Sequence, residues 1–257
     1  MKKKIILHIG SPKTGTTSLQ NWLINNKIFL ERHNIDFYSD GYISPANHYE
    51  LALCSYKNNT IKTPISLLFK DLINNKSFSS KIKKKVSNFI KKSKKKTIIF
   101  SCEELFFLSS KKEFYKLKAF LGKNFDYEII YTLRKKKEFY HSWGKEMKRF
   151  NLNINNKKKF TTNFLDYKKK KKLLVSVFKK VKIFNYSPSI NSDILSYLTN
   201  KKKNITMPRL NKNLKTKNIA QIIFQHSVFL LFNFRLFNVF LYRLLHYLNK
   251  FRIIRWY

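Results

Sequence analysis

The chain has 257 residues and carries 54 Lys or Arg against 14 Asp or Glu, which gives a formal net charge of +40. A hydrophobic fraction of 43% is enough to bury a core, so a fully disordered basic tail is excluded, and the 5 Gly and 5 Pro exclude a collagen-like chain. Because only eight of the basic residues are Arg, we interpret the charge mainly as lysines on solvated faces and expect no specific nucleic-acid partner.

The first residues, MKKKIIL, resemble the start of a signal peptide, but His8, Gly10 and Pro12 end the apolar run too early for one. The two cysteines of the chain, Cys54 and Cys102, are too few for a disulfide framework or a cysteine-based zinc site. Unpaired thiols suit a reducing compartment. We therefore expect a cytoplasmic protein.

Short apolar runs and amphipathic stretches alternate along the chain. The apolar runs predict strands at 4–9, 35–38, 97–101, 127–133 and 182–186. The amphipathic stretches predict helices at 16–31, 46–57, 64–74, 80–92, 111–121, 135–150 and 192–198, with 151–172 a loop that contains a helical piece. Strands that alternate with helices predict an α/β fold with a mainly parallel central sheet flanked by helices.

We assign this α/β domain to residues 1–220 and treat 221–257 as an apolar and basic helical extension. Residues 219–234 contain no Lys, Arg, Asp or Glu, but a membrane-spanning helix needs about 20 apolar residues. The spacing of Arg235 and Arg243 indicates amphipathic helices. We favour a helix packed on the domain; the alternative is peripheral contact of 219–257 with the anionic inner face of a membrane.

Three polar segments follow predicted strands: residues 10–18, 101–104 and 134–142. In an open parallel sheet, ligands bind beyond the carboxyl ends of the strands. Because all three segments fall at such ends, we expect them to meet at one edge of the sheet and to form the functional site.

The first of these segments joins a strand to a helix and has the pattern of a loop that cradles phosphate with its backbone N–H groups. Gly10, Gly15 and Thr17 match the nucleotide-binding pattern G-x-x-x-x-G-K-[ST]. The pattern departs at the lysine, because Thr16 occupies that position and the basic residue is Lys13 instead. This departure weakens the hypothesis of a kinase-like phosphoryl transferase.

The segment HIGSPKTGTTSLQ, residues 8–20, resembles the 5′-phosphosulfate loop of sulfotransferases that use 3′-phosphoadenosine 5′-phosphosulfate (PAPS), especially bacterial members of that family. The resemblance implies a P-loop-like three-layer fold, PAPS as the donor and no metal. It implies that Lys13 contacts the 5′-phosphosulfate and its bridging oxygen. It also assigns nucleotide binding to Thr14, Gly15, Thr16, Thr17 and Ser18.

The family also binds the 3′-phosphate of PAPS with an Arg at a strand end and a Ser eight positions later on the next helix. Arg134 and Ser142 match this spacing at the end of the strand predicted over 127–133. The guanidinium of Arg suits a phosphate because it offers a fork of donors. Lys135–Lys137 follow where many relatives have a proline, and no individual role is assigned to them.

Sulfuryl transfer also needs a base that takes the proton of the acceptor hydroxyl. His48 resembles a histidine at this place in related bacterial sequences, but it could equally be a hydrogen-bonded histidine at a helix start. Glu103 belongs to an S-x-E pattern that related proteins share, but an acid at this place could also complement a helix dipole. The sequence leaves the base open between these two residues.

The resemblance predicts a sulfotransferase that moves a sulfuryl group from PAPS to a hydroxyl, or less readily an amine, of a glycan or glycolipid. An anionic saccharide would be drawn to a strongly basic protein. Two alternatives are a P-loop kinase-like phosphoryl transferase and a non-catalytic basic binding protein. The second alternative leaves the order of the three segments unexplained.

Overall fold

The computed structural model describes residues 2–57, 63–149 and 165–200. Within these ranges the strands are β1 (Lys4–Gly10), β2 (Ile35–Phe37), β3 (Thr97–Ser101), β4 (Asp126–Leu133) and β5 (Lys180–Asn185). They form one five-stranded sheet in the order β2-β3-β1-β4-β5, and every pair is parallel. The predicted α/β fold with a parallel central sheet is confirmed.

Helices connect the strands and flank the sheet. In the described ranges they are α1 (Thr16–Asn25), α2 (Lys27–Arg32), α3 (Tyr49–Leu53), α4 (Pro64–Leu68), α5 (Lys76–Lys92), α6 (Lys111–Leu121), α7 (Lys136–Arg149), α8 (Tyr167–Phe178) and α9 (Ile190–Thr199). Lys70–Leu72 and Glu103–Phe107 form short 3-10 helices. None of the helices in the described part of the chain is both long and apolar enough to cross a membrane.

Several predicted helix boundaries were wrong, each for a local reason. The helix expected over 16–31 is two helices, because Asn26 has φ −116° and ψ 43°, outside the helical region. The helix expected over 46–57 begins only at Tyr49, because the His48 N–H donates to the Ser101 carbonyl on a neighbouring strand. The helix expected from residue 80 begins at Lys76, where the Asn75 side chain caps it.

Two more differences concern short segments. The helix expected over 64–74 is divided into α4 and a 3-10 turn. In the segment 151–172, which was expected to be a loop with a helical piece, residues 151–164 lie outside the described residues. The helix α8 begins at Tyr167 and ends at Phe178, six residues beyond the expected end.

The sheet is covered on both faces. On one face, α1, α2 and α9 pack over a buried apolar cluster formed by Ile6, Leu19, Leu23, Leu30, Ile35, Phe37, Ala46, Ile99, Ile130, Ile190, Ile194 and Leu195. On the other face, Phe178 of α8 packs against Phe114 of α6 and Tyr127 of β4, with ring centroids 5.8 and 5.9 Å apart. Side chains alternate between faces along a strand, so β4 contributes to both layers.

The parallel register brings the carboxyl ends of the three central strands together. His8 of β1 lies opposite Ser101 of β3, and Gly10 of β1 lies opposite Thr132 of β4. The three polar segments therefore leave the sheet at the same edge, as expected from the sequence.

The remaining expectations on organisation fall partly outside the described residues. Cys54 and Cys102 are both buried and free. The predicted extension 221–257, and with it the expected membrane contact of 219–257, lies outside the described residues.

Candidate functional site at the carboxyl edge of the sheet

The loop between β1 and α1 contains two residues in the left-handed region, Lys13 at φ 65° and Gly15 at φ 80°. Left-handed residues within a turn are the backbone element of anion-binding nests. Gly15 is also the N-cap of α1, and it has no side chain with which to cap the first N–H groups of the helix. The loop is thus built as a concave backbone surface at a positive helix end.

Both glycines of the loop lie where a side chain would be unfavourable, Gly10 through a close contact and Gly15 mainly through its positive φ. A Cβ on Gly10 would lie 2.2 Å from Thr16 Cγ2 and 3.0 Å from Thr132 Oγ1. A Cβ on Gly15 would lie 3.1 Å from Asn191 Nδ2, and its positive φ is costly for other residues. The spacing of the glycines therefore reflects packing as well as backbone conformation.

Hydrogen bonds inside the loop tie it to β4. The Thr14 hydroxyl donates to the Ser11 carbonyl at 2.7 Å, and its Oγ1 lies 3.0 Å from Thr132 Oγ1. Thr14 is buried by these contacts. The Thr14 side chain thus stabilises the loop. Any contact of Thr14 with a bound anion would therefore be made by its backbone N–H group.

The other predicted loop residues differ in exposure. Lys13 and Thr17 are exposed, while Thr16 and Ser18 are buried. The Thr16 hydroxyl donates to Glu103 Oε2 at 2.9 Å. The first turn of α1 and the end of β3 are thereby joined by a side-chain contact.

Glu103 begins the 3-10 helix that follows β3, and it is half-buried. Its neighbour Glu104 is buried and accepts hydrogen bonds from the Tyr56 hydroxyl, at 2.7 Å, and from the Thr63 hydroxyl. The two adjacent acids thus have different environments. Glu104 binds the side chains of Tyr56 and Thr63, whereas Glu103 binds Thr16 at the end of the loop between β1 and α1.

Arg134 also reaches the loop. Its Nη1 donates to the Lys13 carbonyl at 2.8 Å, and its Nε donates to Glu138 Oε2 at 3.2 Å. Its guanidinium carbon lies 4.8 Å from the centroid of the Tyr186 ring. Ser142 is half-buried on α7, in the second turn, so the structure places it on the helix that the resemblance assigned.

His48 is buried, and its ring is held by backbone groups. Its Nε2 lies 2.5 Å from the Tyr38 carbonyl, and the Ser101 N–H donates to its Nδ1 at 3.0 Å. A carbonyl only accepts, so Nε2 carries the proton and the Nδ1 lone pair is taken up by Ser101. Burial lowers the pKa of His48 to about 3. The structure does not present this histidine as a proton acceptor for a substrate.

Two contact residues were missed by the sequence analysis. Asn191, in the first turn of α9, donates from Nδ2 to the Gly15 carbonyl at 3.0 Å. Tyr186 follows β5 and stacks on Arg134. A signal existed for both residues, since Tyr186 is the last residue of the strand predicted over 182–186 and Asn191 comes five positions after it.

Among the described residues, no group of three or more His, Cys, Asp or Glu side chains comes together as a metal site would need. Hydrogen bonds instead connect three strand ends at the loop between β1 and α1, which contains Lys13. Glu103, which follows β3, accepts from the Thr16 hydroxyl, and Arg134, which follows β4, donates to the Lys13 carbonyl.

No protein-family model and no curated protein sequence matches the chain.

Proposed function

We propose that the protein is a PAPS-dependent sulfotransferase that moves a sulfuryl group to a hydroxyl or amine of a glycan or glycolipid. One observation carries the proposal. The loop whose sequence resembles a phosphosulfate loop is contacted by Glu103 through Thr16, and by Arg134 through the Lys13 carbonyl. These are the residues for which the resemblance implies roles in catalysis and in 3′-phosphate binding.

The loop fits the 5′ end of the donor. A glycine N-cap and two left-handed residues leave backbone N–H groups at the start of α1, where the helix dipole favours an anion. Lys13 is exposed beside them and adds a positive charge. These features support binding of a phosphosulfate.

In the proposed reaction the acceptor oxygen attacks the sulfur of PAPS while the bond from sulfur to the bridging oxygen breaks. The electron pair of that bond stays on the bridging oxygen, which leaves as part of the 5′-phosphate of 3′,5′-adenosine bisphosphate. Negative charge therefore grows on the bridging oxygen. In our proposal Lys13 stabilises this charge. Because the charge is absent from the bound substrate, the interaction favours the transition state over the ground state and lowers the barrier.

The acceptor proton must move to a base, and we propose Glu103 for this role. The Thr16 hydroxyl holds Oε2 of Glu103 at the loop, and a carboxylate has lone pairs beyond the one that this bond uses. His48 is disfavoured because backbone groups engage both of its ring nitrogens. The proton would therefore pass from the acceptor hydroxyl to the Glu103 carboxylate.

The acceptor class rests on the resemblance and on charge. With a formal net charge of +40, the protein attracts anions, and an acidic glycan or an anionic glycolipid would be concentrated near its surface. The same charge would attract other polyanions. The acceptor therefore has to be identified by transfer rather than by binding.

The proposal is tested by incubating the full chain with PAPS that carries radioactive sulfur and a panel of acidic and neutral glycans and glycolipids. We expect labelled acceptor and an equal amount of 3′,5′-adenosine bisphosphate. The variant Lys13→Ala should not transfer the labelled sulfuryl group. Its matched control is Lys83→Ala, which removes an exposed lysine of α5. Phosphoryl transfer from ATP–Mg²⁺ in place of sulfuryl transfer would overturn the proposal in favour of a kinase-like enzyme.

A further inference from the structure

The two left-handed residues of the loop have their carbonyl groups held from outside the loop. Arg134 Nη1 donates to the Lys13 carbonyl at 2.8 Å, and Asn191 Nδ2 donates to the Gly15 carbonyl at 3.0 Å. Arg134 follows β4, and Asn191 lies beyond β5. Both donors therefore come from strand ends on the same side of β1.

A peptide group is planar, so its C=O and the N–H of the next residue point in opposite directions. Holding the Gly15 carbonyl therefore also fixes the direction of the Thr16 N–H. The Gly15 carbonyl accepts two hydrogen bonds, one from Asn191 and one from the Leu19 N–H at 3.2 Å. The second is the first hydrogen bond of α1, so the Thr16 N–H points away from the helix, at the anion-binding end.

We infer that Asn191 is a positioning residue of the anion-binding loop. It acts on the ligand through the peptide between Gly15 and Thr16. The inference rests on the proposed function for the identity of the ligand, a nucleotide that carries a 5′-phosphate or phosphosulfate. The backbone geometry on which it depends would be the same for any anion of the phosphate class.

Close packing supports this role. Asn191 is half-buried, and a Cβ on Gly15 would lie 3.1 Å from its Nδ2. The glycine thus leaves room for this amide, which belongs to a residue 176 positions away in the sequence, close to the Gly15 carbonyl. Loss of this amide leaves the Gly15 carbonyl with the Leu19 bond alone, at 3.2 Å, so the direction of the peptide is less constrained.

The test compares four forms of the full chain by calorimetric titration: wild type, Asn191→Ala, Asn191→Gln and Asn25→Ala. Asn191→Gln keeps an amide donor, and Asn25→Ala removes an exposed asparagine of α1 as the matched control. The probes are 3′,5′-adenosine bisphosphate and inorganic pyrophosphate. A single neutral hydrogen bond contributes about 1 kcal/mol, so we expect Asn191→Ala to weaken both affinities about fivefold. Asn191→Gln should recover most of the loss, and Asn25→Ala should match the wild type.

Two further readouts separate positioning from a general loss of structure. Hydrogen exchange of the Thr16 amide should accelerate in Asn191→Ala, while amides of β3 and β4 keep their wild-type rates. In the transfer assay the KM for PAPS should rise and the KM for the acceptor should stay unchanged. Equal acceleration of exchange across the sheet would overturn the inference in favour of a purely structural role.

The outcomes distinguish this inference from the proposed function. Wild-type binding of the bisphosphate that Asn191→Ala leaves unchanged would overturn the positioning role while supporting the nucleotide site. Failure of the wild type to bind the bisphosphate, with pyrophosphate binding that depends on Asn191, would overturn the PAPS proposal and support the positioning role. Absence of binding for both probes would overturn both.

Discussion

The Thr16 hydroxyl donates to Glu103 Oε2 at 2.9 Å, across 87 positions of sequence. Thr16 is the first residue of α1, and Glu103 is the first residue of the 3-10 helix after β3. In an ordinary nucleotide-triphosphate loop the position of Thr16 is a lysine that reaches the phosphates. Here the Thr16 side chain instead contacts the Glu103 carboxylate. The lysine of this loop is Lys13, which precedes Gly15 in the sequence, whereas Thr16 follows it.

We expect Lys13→Ala to abolish most turnover while leaving nucleotide affinity less affected. The reason is that the proposed charge on the bridging oxygen exists only in the transition state. Removing one such stabilising group costs on the order of 10²–10³-fold in rate. Single-turnover transfer measures the rate, and calorimetry with 3′,5′-adenosine bisphosphate measures the affinity. A wild-type rate in Lys13→Ala would contradict the role, and Lys83→Ala controls for the loss of one surface charge.

We expect Glu103→Gln to lose turnover by roughly 10²–10⁴-fold, because an amide cannot accept the acceptor proton. His48→Gln should keep its turnover in the fraction that is folded, since the hydrogen bonds of the His48 ring go to backbone groups and the ring packs in the core against Phe37 and Phe100. Replacing the His48 ring should instead lower the melting temperature of the protein. A dead His48→Gln that melts like the wild type, together with an active Glu103→Gln, would reassign the base to His48.

We expect Arg134→Ala to remove the preference for nucleotides that carry a 3′-phosphate. A charge-assisted hydrogen bond contributes about 1.5–3 kcal/mol, which corresponds to roughly ten- to a hundredfold in affinity. The experiment compares 3′,5′-adenosine bisphosphate with 5′-AMP for the wild type, Arg134→Ala and Lys135→Ala, whose lysine is exposed next to Arg134. An affinity ratio that Arg134→Ala leaves unchanged would refute the assignment. A fall in both affinities by the same factor would indicate that Arg134 acts only through the Lys13 carbonyl.

Glu50 gives a prediction about stability that is independent of the proposed activity. Its carboxyl is fully buried, and burial raises its pKa to about 7, although the Tyr42 N–H donates to Oε1 at 3.0 Å. Between the ordinary pKa of 4.5 and about 7 the folded state binds more protons than the unfolded state. The contribution of Glu50 to stability therefore falls as pH rises through this window and is constant above it.

The matching measurement is the free energy of unfolding of Glu50→Gln relative to the wild type, from urea titrations between pH 4.5 and 8. We expect the variant to gain about 3 kcal/mol relative to the wild type across the window, since each pKa unit corresponds to about 1.4 kcal/mol. Glu31→Gln, an exposed residue of α2, is the control. A difference that is flat with pH, or one that has the same slope in Glu31→Gln, would contradict the burial effect. Taking the difference also cancels the titration of His8 and His48, whose pKa values burial lowers.

The strands of the sheet were predictable because their apolar runs are local. Residues of β1, β3 and β4 are buried on both faces, and the sequence shows this as runs without alternation. Helix boundaries were less predictable. The start of α3 depends on a hydrogen bond from His48 to Ser101, 53 positions away, and no local pattern contains that contact.

The candidate site shows the same division. Lys13, Glu103 and Arg134 could be identified because each follows a strand, and parallel strands align their carboxyl ends. The sequence could not decide between Glu103 and His48, because the difference lies in burial and in the partners of the ring nitrogens. Asn191 was missed because its partner, the Gly15 carbonyl, is a backbone group that every sequence contains.

The most direct test of the central proposal is calorimetric titration of the full chain with 3′,5′-adenosine bisphosphate, with 5′-AMP and ATP–Mg²⁺ as controls, at two salt concentrations. We expect tight binding of the bisphosphate that needs its 3′-phosphate and that persists at the higher salt concentration. Equal binding of all three nucleotides that falls steeply with salt would contradict the donor site, because it is the behaviour expected from the net charge alone.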